Sequence, residues 1–169
     1  ECFGSALILI YSGIDSMAFL SMPAGQDNVR ASDFIAWCNR YISFCRSGQV
    51  TGEEFYSARC GFVHTYTIDS NLTRKGRCRH IGYYFDLNYP PVVSVPSVTN
   101  DFLLVNIRDL AEAFFEGMSK SLVALFSNPR LAKVAESRLE RAFKVIAAEQ
   151  MKRPTVDRGT PLSEPEGTT

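Results

Sequence analysis

The pattern of apolar and polar positions along the chain predicts a mainly helical fold. Apolar residues recur at helical spacing in several stretches, and capping or turn-forming residues separate these stretches. The predicted helices cover residues 3–20, 33–44, 51–66, 107–126 and 128–151. Loops or turns are predicted at 23–28 and 47–52, and a polar linker is predicted at 69–73.

Three short stretches interrupt the helical pattern and favour strands. Residues 81–85 are mostly aromatic or β-branched, and residues 92–95 and 102–105 lie next to prolines and polar turn residues. A small β-hairpin or sheet is therefore expected as an insertion around residues 80–106.

The size and composition of the chain predict one domain. With 169 residues and 46% hydrophobic content, the chain can bury a full core, and residues 1–151 are expected to form it. Residues 152–169 are rich in Pro, Gly, Thr and Glu, which is typical of a mobile tail.

Two charged residues fall on the apolar faces of predicted helices. Asp15 lies on the apolar face of the first helix, and Arg59 lies on the apolar stripe of the third. A charge that points into a core is costly unless it is paired, so Arg59 and His64 are the expected partners of Asp15. In the alternative, Asp15 is hydrogen-bonded to the neighbouring backbone or to Tyr11. Arg59 then pairs with another core carboxylate.

The chain has two histidines, and each follows an arginine closely. Arg59 precedes His64, and Arg74 precedes His80. An arginine can stabilise charge on a phosphate, and an imidazole can move a proton near neutral pH, so such a pair can do phosphate chemistry without a metal. The structural alternative is that Arg59 pairs with a core carboxylate and His64 is a packed histidine.

The residues around the first pair distinguish it from the second. The run Tyr56-Ser57-Ala58-Arg59-Cys60-Gly61-Phe62-Val63-His64-Thr65-Tyr66 resembles the Arg-x(4–6)-His motif of the HEPN superfamily, whose members are helical bundles. Residues 5–16 also resemble the first helix of HEPN-like proteins. The resemblance covers roughly the first half of the chain and rests on a short motif.

This resemblance implies a mainly α, HEPN-like helical bundle with the small β insertion, and a metal-independent RNA endonuclease in a toxin–antitoxin or defence system. His64 would be the general acid or base, Arg59 would stabilise the scissile phosphate, Asp15 would orient the pair and Tyr66 would line the cleft. Two such motifs would meet in a homodimer. The alternatives are a non-catalytic HEPN-like module that binds a partner or antitoxin protein, and nucleotide binding without cleavage.

A basic segment precedes the first predicted strand. Arg74, Lys75, Arg77 and Arg79 are candidate contacts to the phosphates of RNA, since phosphate contacts dominate nucleic-acid affinity. The formal net charge of the whole chain is zero, so composition gives no global support for nucleic-acid binding. The alternative is a solvated surface.

The five cysteines indicate neither a disulfide framework nor a zinc site, because their number is odd and no Cys-x-x-Cys pair occurs. We expect a cytoplasmic protein without a metal or cofactor. The apolar stretch from Phe3 to Leu20 is interrupted by Asp15 and is predicted to be a core helix rather than a membrane span. The chain begins at Glu1 rather than Met, which leaves open what precedes it in the natural chain.

Overall fold

The fold is mainly helical with one small sheet, as the sequence pattern predicts. The computed structural model describes residues 2–44, 49–65, 69–96 and 102–142. Within these ranges the elements follow in this order: α1 (Phe3–Ser21), α2 (Ala31–Tyr41), α3 (Gly52–Thr65), α4 (Asn71–Arg74), β1 (His80–Tyr84), β2 (Val92–Val95), β3 (Phe102–Asn106), α5 (Ile107–Phe126) and α6 (Pro129–Ala142).

Helix α2 begins and ends earlier than predicted. The carboxylate of Asp33 accepts a hydrogen bond of 2.8 Å from the backbone N–H of Arg30, so Asp33 caps the helix from its third position instead of starting it. At the other end, Ile42 has extended backbone angles, so Phe44 lies beyond the helix.

The predicted linker at 69–73 is wrong, because residues Asn71–Arg74 form the short helix α4. The hydroxyl of Ser70 accepts from the backbone N–H of Leu72 at 3.1 Å and of Thr73 at 3.2 Å. The hydroxyl of Thr73 accepts in return from the backbone N–H of Ser70 at 2.8 Å. This is a reciprocal capping box with Thr in the place of the usual Glu or Gln, so a polar sequence without apolar periodicity still forms a helical turn.

The sheet has the strand order β1-β3-β2. Strands β1 and β3 are parallel, with His80 opposite Phe102, and β2 pairs antiparallel to β3. The predicted insertion is therefore an antiparallel pair of β2 and β3, and β1 adds a third strand at the other edge of β3. Asn106 ends β3 and caps α5, where its side chain accepts from the backbone N–H of Arg108 at 3.2 Å.

Helix α1 is the centre of the bundle and packs against α2, α3, α5 and α6. Its buried residues are Leu7, Ile10, Tyr11, Ile14, Met17, Ala18 and Leu20. Among the described residues, α1 is the one helix that is long and apolar enough to cross a membrane. Its packing is that of the predicted core helix.

Several predicted bounds lie outside the described residues. Helix α3 is described as far as Thr65, and its expected end at Tyr66 is not covered. Helix α6 is described as far as Ala142, so its expected end near Met151 and the predicted tail at 152–169 are also not covered.

Candidate functional site

The ion pair predicted for Asp15 joins α1 to α3. The Oδ2 atom of Asp15 accepts a hydrogen bond of 3.0 Å from Nε of Arg59 and lies 2.9 Å from Nη2 of the same guanidinium. The side chains of Arg59 and Asp15 retain 22% and 32% of their full exposure. The pair is therefore partly buried, and it holds the guanidinium at the protein surface with a fixed orientation.

The start of α3 fixes where Arg59 stands. The backbone N–H of Thr51 donates to Glu54 at 2.8 Å, and the N–H of Glu54 donates to the Thr51 hydroxyl at 3.2 Å, which is the capping box that the sequence predicts. Gly52 permits close contact with α2, because a Cβ atom at this position would lie 2.4 Å from the backbone oxygen of Ile35. One turn later, Phe55 is fully buried and anchors the helix to the core.

A small cavity of about 140 Å³ opens beside the ion pair. Its polar lining comes from three elements: Asp15 of α1, Arg30 at the start of α2, and Tyr56 and Arg59 of α3. Its apolar lining is Val29, Ala31 and Phe34. The cavity thus sets two guanidinium groups and one phenol around a single carboxylate, and this arrangement can bind a small anionic group.

Burial and neighbouring charges determine the protonation of these groups. Burial alone would lower the pKa of Arg59, but the hydrogen bond and the charge of Asp15 outweigh burial and raise it above the ordinary value. Burial is also the largest cause that raises the pKa of Tyr56, followed by the charge of and the hydrogen bond to Cys60. At neutral pH, therefore, Arg59 is charged and the Tyr56 hydroxyl keeps its proton and can donate it in a hydrogen bond.

His64 lies in α3, five residues after Arg59, which corresponds to about 7.5 Å along an ideal helix axis. The His64 side chain and the whole of Tyr66 lie outside the described residues, so the predicted roles of both stay predictions.

The predicted basic segment is not one uniform patch. Arg79 donates to both oxygens of Glu54, with Nε 2.5 Å from Oε1 and Nη2 3.1 Å from Oε2. The Glu54 side chain is only 7% exposed, so the charge of Arg79 is already balanced by a buried carboxylate. Arg74 donates to Asn71 at 2.9 Å, and Lys75 and Arg77 are exposed. Of the four residues, Arg79 is thus part of a structural ion pair with Glu54, which the sequence did not reveal.

The second histidine is a core residue. His80 is buried, its Nε2 lies 2.9 Å from Oδ1 of Asp69, and its ring stacks on Phe102 with 5.0 Å between the ring centres. It therefore ties β1 both to the start of α4 and to β3.

No three His, Cys, Asp or Glu side chains within the described ranges are grouped so that they could hold a metal ion. This chain matches no protein-family model, no characterised protein and no solved structure.

Proposed function

We propose that this chain is a metal-independent RNA endonuclease of HEPN type that acts in a toxin–antitoxin or defence system. The observation that carries this proposal is the Asp15–Arg59 pair, which fixes a charged guanidinium at the mouth of a small polar cavity, five residues before His64 on one helix. Cleavage of a phosphodiester by its own ribose requires a fixed cation and a proton acceptor at the same phosphate, and this proposal assigns these two roles to Arg59 and His64.

In the proposed reaction the 2′-oxygen of the ribose attacks the adjacent phosphorus, and the bond from phosphorus to the 5′-oxygen breaks. His64 takes the proton from the 2′-hydroxyl as general base. Arg59 donates to the phosphate oxygens as their negative charge grows. Arg30, which lines the same cavity, supplies a second positive charge. The products are a 2′,3′-cyclic phosphate and a 5′-hydroxyl.

The leaving 5′-oxygen needs a proton, and the proposed motif contains one imidazole per chain. A homodimer would bring a second His64 to the same phosphate as general acid, with Tyr66 lining the cleft. Asp15 is the positioning residue in this scheme, because its Oδ2 atom accepts from Nε of Arg59 and lies 2.9 Å from Nη2, which restricts the orientation of the guanidinium.

The test compares RNA cleavage by Arg59→Ala, His64→Ala and the matched control Arg74→Ala. We expect Arg59→Ala to lower kcat by about 10²- to 10³-fold, as the loss of a transition-state donor does. His64→Ala should abolish cleavage, and Arg74→Ala should retain kcat at saturating RNA, because Arg74 has no role in the proposed chemical step. Asp15→Asn should lower kcat less than Arg59→Ala does. Equal activity of Arg59→Ala and Arg74→Ala would contradict the proposal.

His80 is not a silent control for His64, because its ring is buried between Asp69 and Phe102. An effect of His80→Ala on activity would have to be separated from a loss of folded protein. Arg74 is the better control because its contacts to Asn71 and to the Ser70 backbone are local.

The competing function is a non-catalytic module that binds a partner or antitoxin protein. It is favoured by the exposed apolar side chains of α5, where Phe115 and Val123 lie two turns apart on one face and are 58% and 68% exposed. This function would be established instead if the pure protein binds RNA weakly, cleaves no RNA and forms a stable complex with a partner protein that depends on Phe115 and Val123.

A further inference from the structure

A second cationic surface lies on α6, away from the basic segment that the sequence singles out. Arg130, Lys133 and Arg141 are exposed and share one face of this helix. Together with residues 24–27 of the loop between α1 and α2, this face lines an open groove of about 490 Å³, which we call the α6 groove. Asp27 is the acidic residue in its lining; its side chain is 83% exposed, and its Oδ1 atom lies 3.4 Å from Nη1 of Arg141, with which it forms an exposed ion pair.

A buried cation beneath the α6 groove adds to its positive charge. Arg138 is only 6% exposed, and it donates to the backbone oxygens of Leu20, Met22 and Pro23 at 3.0, 2.6 and 2.7 Å. No described carboxylate lies within ion-pair distance of it. Burial, and then the charge of Arg141, lower the pKa of Arg138. The groove therefore has four cationic residues against one carboxylate, and it attracts anions.

The wall of the α6 groove opposite the helix is held in place. The side chain of Gln26 donates to the Asn28 backbone oxygen at 2.8 Å and to Asp33 at 2.6 Å, so the loop is tied to the start of α2. This loop also leads to Arg30, which lines the cavity beside Arg59. The same short segment therefore lines both the groove and the cavity.

The packing of α1 relates the α6 groove to the Asp15–Arg59 pair. The guanidinium carbon of Arg141 lies over the ring of Phe19, 5.6 Å from its centre. Phe19 follows Asp15 by one helical turn on the same face, so their Cβ atoms are about 5–6 Å apart. Asp15 holds Arg59. Arg141, Phe19, Asp15 and Arg59 thus form a continuous line along the surface of α1.

We infer that the α6 groove binds the sugar-phosphate backbone of the RNA substrate next to the scissile phosphate. This inference rests on the proposed nuclease function. Guanidinium groups bind phosphate oxygens in a planar, two-pronged geometry, and two of the three exposed cations here, Arg130 and Arg141, are arginines. Ser137, on the same face, adds a hydroxyl that can bond phosphate or ribose.

The test compares two triple variants with matched numbers of charges: Arg130→Gln/Lys133→Gln/Arg141→Gln in the α6 groove, and Arg74→Gln/Lys75→Gln/Arg77→Gln in the basic segment. The probe is a fluorescent RNA oligonucleotide with 2′-O-methyl groups at every position, which cannot be cleaved through its ribose. Its Kd is measured by anisotropy between about 50 and about 200 mM salt. All six residues are exposed, and circular dichroism confirms that each variant is folded.

The α6 variant should bind the probe more weakly, and its slope of log affinity against log salt should be shallower by about 2, since each lost contact to a single strand removes about 0.7. The inference adopts the solvated-surface alternative for Arg74, Lys75 and Arg77, so the basic-segment variant should keep nearly the wild-type slope. An unchanged slope in the α6 variant, or an equal loss in both variants, would overturn the inference. If the wild type binds through the α6 groove but cleaves no RNA, RNA binding by the groove stands, whereas the nuclease proposal and the placement next to a scissile phosphate fail.

Discussion

Replacing Arg138 tests how α6 is attached to the rest of the fold. Its guanidinium donates to three backbone oxygens near the end of α1, and the Leu20 and Met22 residues that carry two of them are buried. The last carbonyls of a helix have no partner within the helix, so Arg138 supplies one from outside. Arg138→Met keeps much of the volume and removes every donor, whereas Arg138→Lys keeps the charge and loses the planar fork.

Two opposing effects determine the magnitude for Arg138→Met. Two buried carbonyl oxygens lose their partner, at about 1–3 kcal/mol each, while the third belongs to the exposed Pro23 and can bond water. Against this, the variant no longer buries a cation without a carboxylate, and that relief is worth several kcal/mol before the lost hydrogen bonds are counted. Each of the three bonds comes from a charged donor and is worth about 1.5–3 kcal/mol, and two of them are short, at 2.6 and 2.7 Å. Together they outweigh the relief, so we expect a net loss of about 2–4 kcal/mol, and about 1–2 kcal/mol for Arg138→Lys.

Urea unfolding followed by the fluorescence of Trp37 measures these differences. Trp37 is the single tryptophan of the chain and is buried between α2 and α5, where its indole N–H donates to Ser121 at 3.0 Å. The unfolding midpoint should fall in the order wild type, Arg138→Lys, Arg138→Met, with an unchanged slope. Arg141→Met, at an exposed site on the same helix, should cost less than about 0.5 kcal/mol. Wild-type or higher stability of Arg138→Met would show that the cost of burying the cation dominates and would refute the reasoning.

Two further predictions concern contacts that position α3 and α5. Glu54→Gln should lower the free energy of unfolding by about 2 kcal/mol, because it weakens both the ion pair with Arg79 and the cap of α3. Urea unfolding measures this loss, and the control Glu53→Gln, at the exposed neighbouring position, should lose less than about 1 kcal/mol. Gly117→Ala should cost about 1–3 kcal/mol despite the better helix propensity of Ala, because its Cβ would lie 2.5 Å from a backbone oxygen at the end of α2. Thermal unfolding compares it with Gly4→Ala, where the nearest contact of the added Cβ is 3.9 Å away and the change should be neutral or stabilising. Equal melting temperatures for the two alanine variants would contradict this.

The helices and the Asp15–Arg59 pair could be predicted from the sequence because both depend on periodicity. An acidic residue on one apolar stripe and a basic residue on another must each find a partner in a small core, and few candidates existed. The prediction failed where local polar contacts decide the structure. Helix α4 depends on reciprocal bonds between Ser70 and Thr73, and no apolar spacing signals them.

The partners of several cations could not be predicted, because tertiary packing sets them. Arg79 follows Glu54 by 25 residues and Arg138 follows Leu20 by 118, and the sequence contains nothing that joins such distant positions. Of the basic segment, Arg79 is paired with Glu54, while Arg74, Lys75 and Arg77 are exposed and their predicted RNA contacts stay predictions. The sequence analysis did not single out the cations spaced along α6. The helical period of Arg130, Lys133, Ser137 and Arg141 was a signal that could have identified the second surface.

The central claim, that the ribose itself attacks the phosphate, is tested most directly by the ends of the cleavage products. The pure chain is incubated in EDTA with an RNA oligonucleotide and, in parallel, with the same sequence as DNA, and the products are identified by mass spectrometry. We predict that the RNA is cut to fragments with 2′,3′-cyclic phosphate and 5′-hydroxyl ends and that the DNA stays intact. Fragments with 3′-hydroxyl ends, or cleavage of the DNA, would contradict this account.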